Sequence, residues 1–382
     1  MNVNIRKLVA APVALLAALV AISFLACIIA RSLFRSVNPS ATAPFPDTPV
    51  WEFTSTAPIV ATPAVLGGTV LIRTSASLDA IDASSGKLIW RFDSPQSSFG
   101  ALSPMPVSPS LVVLQQAGGL FALDPRDGRH LWTAEGTQRP LDRSDIQSLA
   151  HGCGLVFAAT NNGNLVALSA RDGTPSWAHH MPDTRVHYLL NETHCLLYVG
   201  SWMHLIVYAA QSGDELARLD FGRDLGAMAV GDGVVYVASR IPTDTIAAID
   251  STTMEVIWET PFDAAHGGFR DSLVLDGDTL YAAGASMAAL NSDDGRILWH
   301  STLGFDAVSP PTLLRHVLYF RDQGNTIFGV EKSSGAPMGT VTTISNYPFV
   351  YSLSDRGPAV SEGLLIVPFG NGRVFAYNPD SD

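Results

Sequence analysis

The sequence predicts an all-β fold, a closed ring of eight four-stranded antiparallel blades (an eight-bladed β-propeller), and three observations carry that prediction. A nine-residue sentence recurs: "DASSGKLIW" (Asp82 to Trp90), "DPRDGRHLW" (Asp124 to Trp132), "SARDGTPSW", "DSTTMEVIW" and "NSDDGRILW". Tryptophans stand at 51, 90, 132, 177, 258 and 299, at intervals of 39, 42, 45, 81 and 41. The interval of 81 spans one member without tryptophan, "YAAQSGDELA", which puts Gly213 in the turn and Ala217 in the tryptophan slot. A period of about 41 residues marks a repeat architecture. Finally, the two ends are complementary. The body opens at Trp51 with an outer strand lacking its three inner strands, and closes with "GPAVSEGLLIVPFGNGRVFAYNPDSD", three strands lacking an outer one. Joined, they complete a last blade and close the ring, which removes sheet edges that invite aggregation.

Ahead of the ring, Leu8 to Ala30 ("LVAAPVALLAALVAISFLACIIA") runs 23 residues without a charge. That matches the roughly 20 residues a helix needs to cross a bilayer. Arg6 and Lys7 precede the run and Arg31 and Arg35 follow it. With the free amino terminus the leading side is the more positive, which places it in the cytoplasm and the remainder outside. One transmembrane or signal-anchor helix is therefore expected, within a membrane anchor over residues 1–35. "FLAC" (Phe24 to Cys27) is similar to a bacterial lipobox, which would make Cys27 a lipidation site, and a cleaved signal is a third reading. The length of the run favours the uncleaved anchor. All three readings send the body to the extracytoplasmic side, periplasmic or extracellular. Ser36 to Val50 ("SVNPSATAPFPDTPV") has four prolines among small polar residues and reads as an extended linker. The propeller occupies 51–382.

Within a unit, a short apolar strand, often opened by proline as in "TPAV" or "SPPTLL", leads to a strand such as "GLVFAAT" or "VVYVAS". A turn and a third strand, "NLVALS" or "TIAAID", come next, and the nine-residue sentence ends the unit. Strands of this length punctuated by Gly, Asn and Asp are antiparallel meanders. In the sentence, Asp or Asn hydrogen-bonds the turn backbone, Gly takes a positive φ, and Trp begins the outer strand. After Trp299, "VEKSSGAPMG" supplies Gly335 to the turn and Gly339 to the slot. The eight slots are Trp51, Trp90, Trp132, Trp177, Ala217, Trp258, Trp299 and Gly339.

The chain has 382 residues and a formal net charge of −12. Without Arg6, Lys7, Arg31 and Arg35 the remainder sets 19 basic against 35 acidic groups. So acidic a surface repels phosphate backbones and argues against nucleic acid as a partner. The three cysteines, Cys27, Cys153 and Cys195, form no CxxC pair, which removes the common zinc and thioredoxin-like readings. Cys153 and Cys195 are expected as two separately buried thiols, with one disulfide as the alternative in an oxidising compartment.

"GTVLIRTSASLDAIDASSGKLIW" and "VLYFRDQGNTIFGVEKSSG" resemble the repeats of the PQQ-type (quinoprotein-like) β-propellers, over about Val50 to Asp382. The resemblance implies a blade-docking role for Trp51, Trp90, Trp132, Trp177, Trp258 and Trp299, and weaker junctions at Ala217 and Gly339. Length, envelope targeting and eight blades also resemble the BamB-type outer-membrane assembly lipoproteins, which implies a non-enzymatic scaffold. Other members of the quinoprotein family hold pyrroloquinoline quinone (PQQ) beside calcium, with a Trp floor, a vicinal Cys–Cys disulfide, an Asp base, and Glu and Asn ligands. No adjacent cysteines occur here, and only Trp202 lies outside the slots. No cofactor, metal or catalytic residue is therefore assigned. A PQQ- and calcium-dependent dehydrogenase, or a small-ligand propeller, is the competing reading.

Other constellations are no more specific. Five of ten histidines lie between His179 and His204, but His179 and His180 are adjacent on an expected strand and point to opposite faces. His187, His194 and His204 read as loop residues. "NSDDG" and "DPRDG" lack the distal Glu of an EF-hand loop, and no GxSxG elbow occurs.

Binding is the expected task, with an envelope or membrane protein as partner. The loop between second and third strands shares a face with the blade-to-blade connections. One such loop, "GSWMHL", presents Trp202, Met203 and His204 where glycine usually stands, and exposed Trp and Met are enriched in binding hot spots. The longest connections are Glu135 to Gln147, Phe262 to Ser272 and Thr342 to Gly357. They bring Arg143, Phe269, Arg270, Asp271, Tyr347, Phe349 and Tyr351 to the same rim, a content suited to a peptide or protein ligand.

Overall fold

Runs such as "LVFAAT" (Leu155–Thr160) and "TIAAID" (Thr245–Asp250) are buried almost throughout. A strand apolar on both faces needs a covering layer on each. Fourth strands differ: Pro175–His180, Glu215–Asp220 and Val256–Pro261 keep only their third and fifth residues half-buried. The structure, a computed structural model, describes residues 48–379 apart from 94–103, 117–118, 136–145, 182–186, 192–193, 201–202, 223, 232, 240–243, 263–271, 285, 302–306, 308, 323–325, 343–356 and 370. These residues form eight four-stranded antiparallel sheets. Among them no helix is long and apolar enough to cross a membrane. The expected span Leu8 to Ala30, with Cys27, lies outside them.

Seven sheets are sequence-continuous meanders, blades 1 to 7, over 64–93, 105–135, 146–180, 187–220, 225–261, 272–301 and 312–342. First strands of neighbouring blades touch each other, so they lie innermost. Blade 8 is composite. Ala359–Ser361, Leu364–Pro368 and Arg373–Tyr377 come from the carboxyl end, and Trp51–Thr54 from the amino end pairs with the last of them. The register sets Trp51 opposite Ala376 and Thr54 opposite Arg373. At this seam Val50 donates its N–H to Ala376 O at 2.7 Å and Ser55 donates to Gly372 O at 2.8 Å. Arg373 Nε donates to Glu52 Oε1 at 2.6 Å across 321 residues of sequence, which holds the Glu52 carboxyl below its ordinary value. The pair is exposed, so it aligns the strands more than it stabilises them.

The core is divided into eight apolar clusters, one at each blade junction. Between blades 8 and 1 it comprises Trp51, Phe53, Ile366 and Val374 with Val70, Ile72 and Ile81. Between blades 4 and 5 it comprises Tyr198, Leu205 and Val207 with Val235, Val237, Ile249 and Met254. Burying each such aliphatic side chain is worth ~1.5–3 kcal/mol, so the ring is glued blade to blade rather than around one centre.

Two sequence expectations are corrected. Cys153 and Cys195 form a disulfide, with Cα atoms 5.9 Å apart, rather than two buried thiols. They occupy matching turns between the first and second strands of blades 3 and 4, both half-exposed and both left-handed (φ 53° and 50°). Lateral blade packing brings the matching turns together. Closure also does not remove every edge, because each fourth strand stays open outward. In blades 1 to 7 that strand carries a β-bulge immediately before the tryptophan slot, for example between the pairs Ala80–Trp90 and Ile81–Leu88. Bulges blunt edges against further pairing.

Candidate functional site

The recurring turn is a socket, and the tryptophan that fills it comes from the preceding blade. In blade 6, Asn291 Oδ1 accepts the N–H groups of Asp293 (3.0 Å) and Asp294 (3.1 Å). Gly295 donates its N–H to Asn291 O at 3.0 Å. Ser292 donates to Asp278 O in the first turn of its own blade at 3.0 Å, and its carbonyl accepts Trp258 Nε1–H from blade 5 at 2.9 Å. The same indole bond runs from Trp51 to Ala83 O, Trp90 to Pro125 O, Trp132 to Ala170 O, Trp177 to Ala210 O and Trp299 to Lys332 O, at 2.8–3.0 Å. Each ring lies on the turn glycine so closely that an added Cβ would sit 2.4–2.7 Å from it.

A further element of the clamp escaped the sequence reading. Each tryptophan pairs across the strand with alanine: Ala80, Ala122, Ala167, Ala248 and Ala289, ten residues upstream, and Ala376 at the seam. An alanine at that fixed spacing was a readable signal. The turn carboxylates serve the backbone as well. Hydrogen bonds from Ser84 and Ser85 hold Asp82 at about 2, and those from Thr253 and Thr252 lower Asp250. These oxygens are committed to turn donors.

The two slots without tryptophan are built differently. In blade 4, Ala217 stands opposite Val207, and the turn it faces in blade 5 carries Met254, 9% exposed at φ 59°, where the others carry glycine. Met254 packs with Ala217 and so occupies volume that an indole takes elsewhere. In blade 7, Gly339 stands opposite Gly329. The turn it would face belongs to blade 8, whose fourth strand arrives from the amino end.

On the other face, loops between second and third strands bond to the chain leaving the blade. Phe221 and Gly222 donate to Met203 O at 2.8 and 3.3 Å, Met181 to Gly163 O, and Phe262 to Asp244 O. Loops and connections therefore share a face, as expected. Met203 is 44% exposed there, and His204 is half-buried at the start of the strand His204–Ala209. Trp202, Arg143, Phe269, Arg270, Asp271, Tyr347, Phe349 and Tyr351 lie outside the described residues.

His179 is half-buried, stacks on Tyr208 at 5.0 Å and donates Nε2–H to Gly213 O at 2.7 Å, while His180 is exposed beside Asn164. His187 and His204 begin strands rather than lying in loops, because the apolar residues after them complete blade 4. Among the described residues no group of three His, Cys, Asp or Glu is placed to hold a metal. The buried charges that sequence reading passed over tie blades together. Fully buried Asp79 accepts Arg91 through two bonds (2.6 and 2.8 Å), Ser77 at 2.9 Å and Ser55, next to the seam strand, at 2.8 Å. Burial pushes Arg73 down to about 9. Its Nη2 donates to Gln115 O at 2.6 Å, and Gln115 donates in turn to Ile146 O, a stitch through blades 1, 2 and 3. Among the described residues the vicinal cysteine pair expected for quinone with calcium is not formed, because the two cysteines of the ring join blades 3 and 4, and six tryptophans are committed to junctions.

The sequence profile of a family described as outer membrane protein assembly factor BamB matches residues 40–191 and 242–381. The chain is 27% identical over 248 residues to the outer membrane protein assembly factor BamB of Xanthomonas campestris pv. campestris, covering 58% of this chain and 59% of that protein. It is 22% identical over 337 residues to the Burkholderia pseudomallei protein of the same name, covering 83% and 84%. Among solved structures, the crystal structure of BamB from Moraxella catarrhalis aligns with TM-score 0.65 at 16% identity, over 86% of this chain and 97% of that one. The quinohemoprotein alcohol dehydrogenase of Pseudomonas putida HK5 aligns with TM-score 0.62 at 12% identity, over 91% and 78%. At such identities the structural likeness concerns the fold.

Proposed function

This chain belongs to the outer membrane protein assembly factor BamB family, and on that basis we propose a non-catalytic protein-binding or envelope-assembly scaffold, tethered to a membrane on its extracytoplasmic side. The observation that carries the proposal is where the reactive and aromatic side chains are spent. Six of seven tryptophans clamp blades and both ring cysteines are paired. The ring is thus a frame that displays loops. A disulfide between half-exposed turns fits an oxidising compartment. In this reading residues 1–35 anchor the chain, through the apolar helix or a lipid on Cys27, and 36–50 space it from the bilayer. A quinone-dependent dehydrogenase has only the shared fold in its support.

The partner is an envelope protein, seated on the face of Met203 and the long connections. Trp202, His204, Arg143, Phe269, Arg270, Asp271, Tyr347, Phe349 and Tyr351 are its proposed contacts. A photo-crosslinking residue at Met203 in the native membrane tests this against one at Leu216, an equally apolar but outer-edge position. A defined envelope protein captured at 203 and not at 216 is expected. Equal capture at both, or capture at 216 alone, overturns the assignment of the face.

A further inference from the structure

We infer that the ring is built as two clamped arcs, blades 8 and 1–4 and blades 5–7, which give against each other at the junctions between blades 4 and 5 and between blades 7 and 8. Every junction inside an arc has an indole seated in the next blade's turn, and the two between arcs have none.

The junction between blades 4 and 5 departs from the clamped junctions in three ways. Ala217 supplies no indole N–H to the turn carbonyl. Met254 holds a left-handed backbone, φ 59°, which strains a side chain larger than glycine's. The fully buried Tyr198 hydroxyl has no hydrogen-bond partner among the described residues. Its counterparts one and two blades on do better: Tyr236 donates to Ser292 O at 3.4 Å and Tyr281 to Lys332 O at 3.5 Å, the carbonyls that also take the indoles. The neighbouring junction, between blades 3 and 4, is heavily fastened. It has Trp177, the Cys153–Cys195 disulfide, His179 on Gly213 O and Gln211 on Cys153 O. The junction between blades 7 and 8 keeps its apolar cluster and the bond from Thr312 Oγ1 to Pro358 O at 2.8 Å, with glycine on both sides of the slot.

The number of soft junctions matters. In a closed ring one soft junction is held shut by all the others, whereas two let the arcs turn as bodies about a line through both. Regions with fewer buried bonds open at lower free energy than the molecule as a whole.

Hydrogen exchange on the full chain reads this directly. Amides of Glu215–Asp220, of the turn 250–255 and of residues 338–342 are expected to exchange at least about tenfold faster than matched amides at clamped junctions, residues 176–180 and the turns 209–214 and 291–296. The double variant Ala217→Trp with Met254→Gly installs the regular clamp and should slow the junction between blades 4 and 5 about tenfold, and, because a single soft junction is held shut by the rest of the ring, should slow that between 7 and 8 as well. Trp258→Ala, which removes a clamp, should make the junction between blades 5 and 6 exchange like the soft ones. Equal exchange at matched amides overturns the inference, and so does a folded double variant without slowing. Should the double variant fail to fold, an unchanged junction between blades 5 and 6 in Trp258→Ala overturns it alone.

Discussion

At Gly295 two separate demands fall on one residue. Its φ of 71° lies in the left-handed region, and a Cβ there would stand 2.4 Å from Trp258 Cε3 and 2.7 Å from Thr260 Oγ1. Gly67, at φ 49°, meets the first demand alone, since a Cβ there has no atom within 4 Å. Gly67→Ala should therefore cost about 1 kcal/mol, the backbone strain. Gly295→Ala should cost about 3 kcal/mol, because the indole is displaced from its socket as well. Denaturant unfolding of the two variants side by side measures the difference, and equal losses would mean that the glycine serves backbone conformation only. Met254 shows the converse: with alanine in the facing slot, the turn tolerates a side chain and uses it as filling.

At the scale of the element, the antiparallel meander brings the first and third turns of a blade to one end, where they bond to each other: Ala83 to Gly68 O, Ala170 to Gly154 O, Ala210 to Cys195 O, Ser251 to Gly233 O. A disulfide between first turns of adjacent blades is thus fastened to both sockets. It closes a loop of sequence separation 42, for which chain entropy sets an upper bound of about 4 kcal/mol. Cys153→Ser or Cys195→Ser should lower the thermal midpoint of the ring, and reductant should lower that of the native chain and leave the variants unmoved. A native chain insensitive to reductant, with Cys153 and Cys195 both titratable as thiols, would remove the disulfide from the account.

For the whole molecule, the seam makes the amino-terminal strand responsible for closure. Trp51 is only 7% exposed and seals blade 8 against blade 1, while Ser55 reaches the buried Asp79 of blade 1. Trp51→Ala should expose residues 48–60 to limited proteolysis, whereas Trp258→Ala, an equivalent loss in a continuous blade, should leave that segment protected. Cleavage at the same rate in both would show that closure depends on clamp number and not on the seam.

How much was legible follows from the range of the signals. Turn chemistry, strand length and the tryptophan spacing are local, repeated along the chain, and mutually checking, so the chain alone determined the blade count, the composite last blade and the slots at Ala217 and Gly339. A period says which residues are equivalent and not which of them touch, so blade docking by the six tryptophans came from the family resemblance, and the residue each one meets was out of reach. Folding decided that Cys153 meets Cys195, that each indole seats in the following blade, and that Met254 fills the space left at Ala217. Lateral packing, a long-range consequence of burying second and third strands on both faces, is the physical reason those pairings exist only in three dimensions.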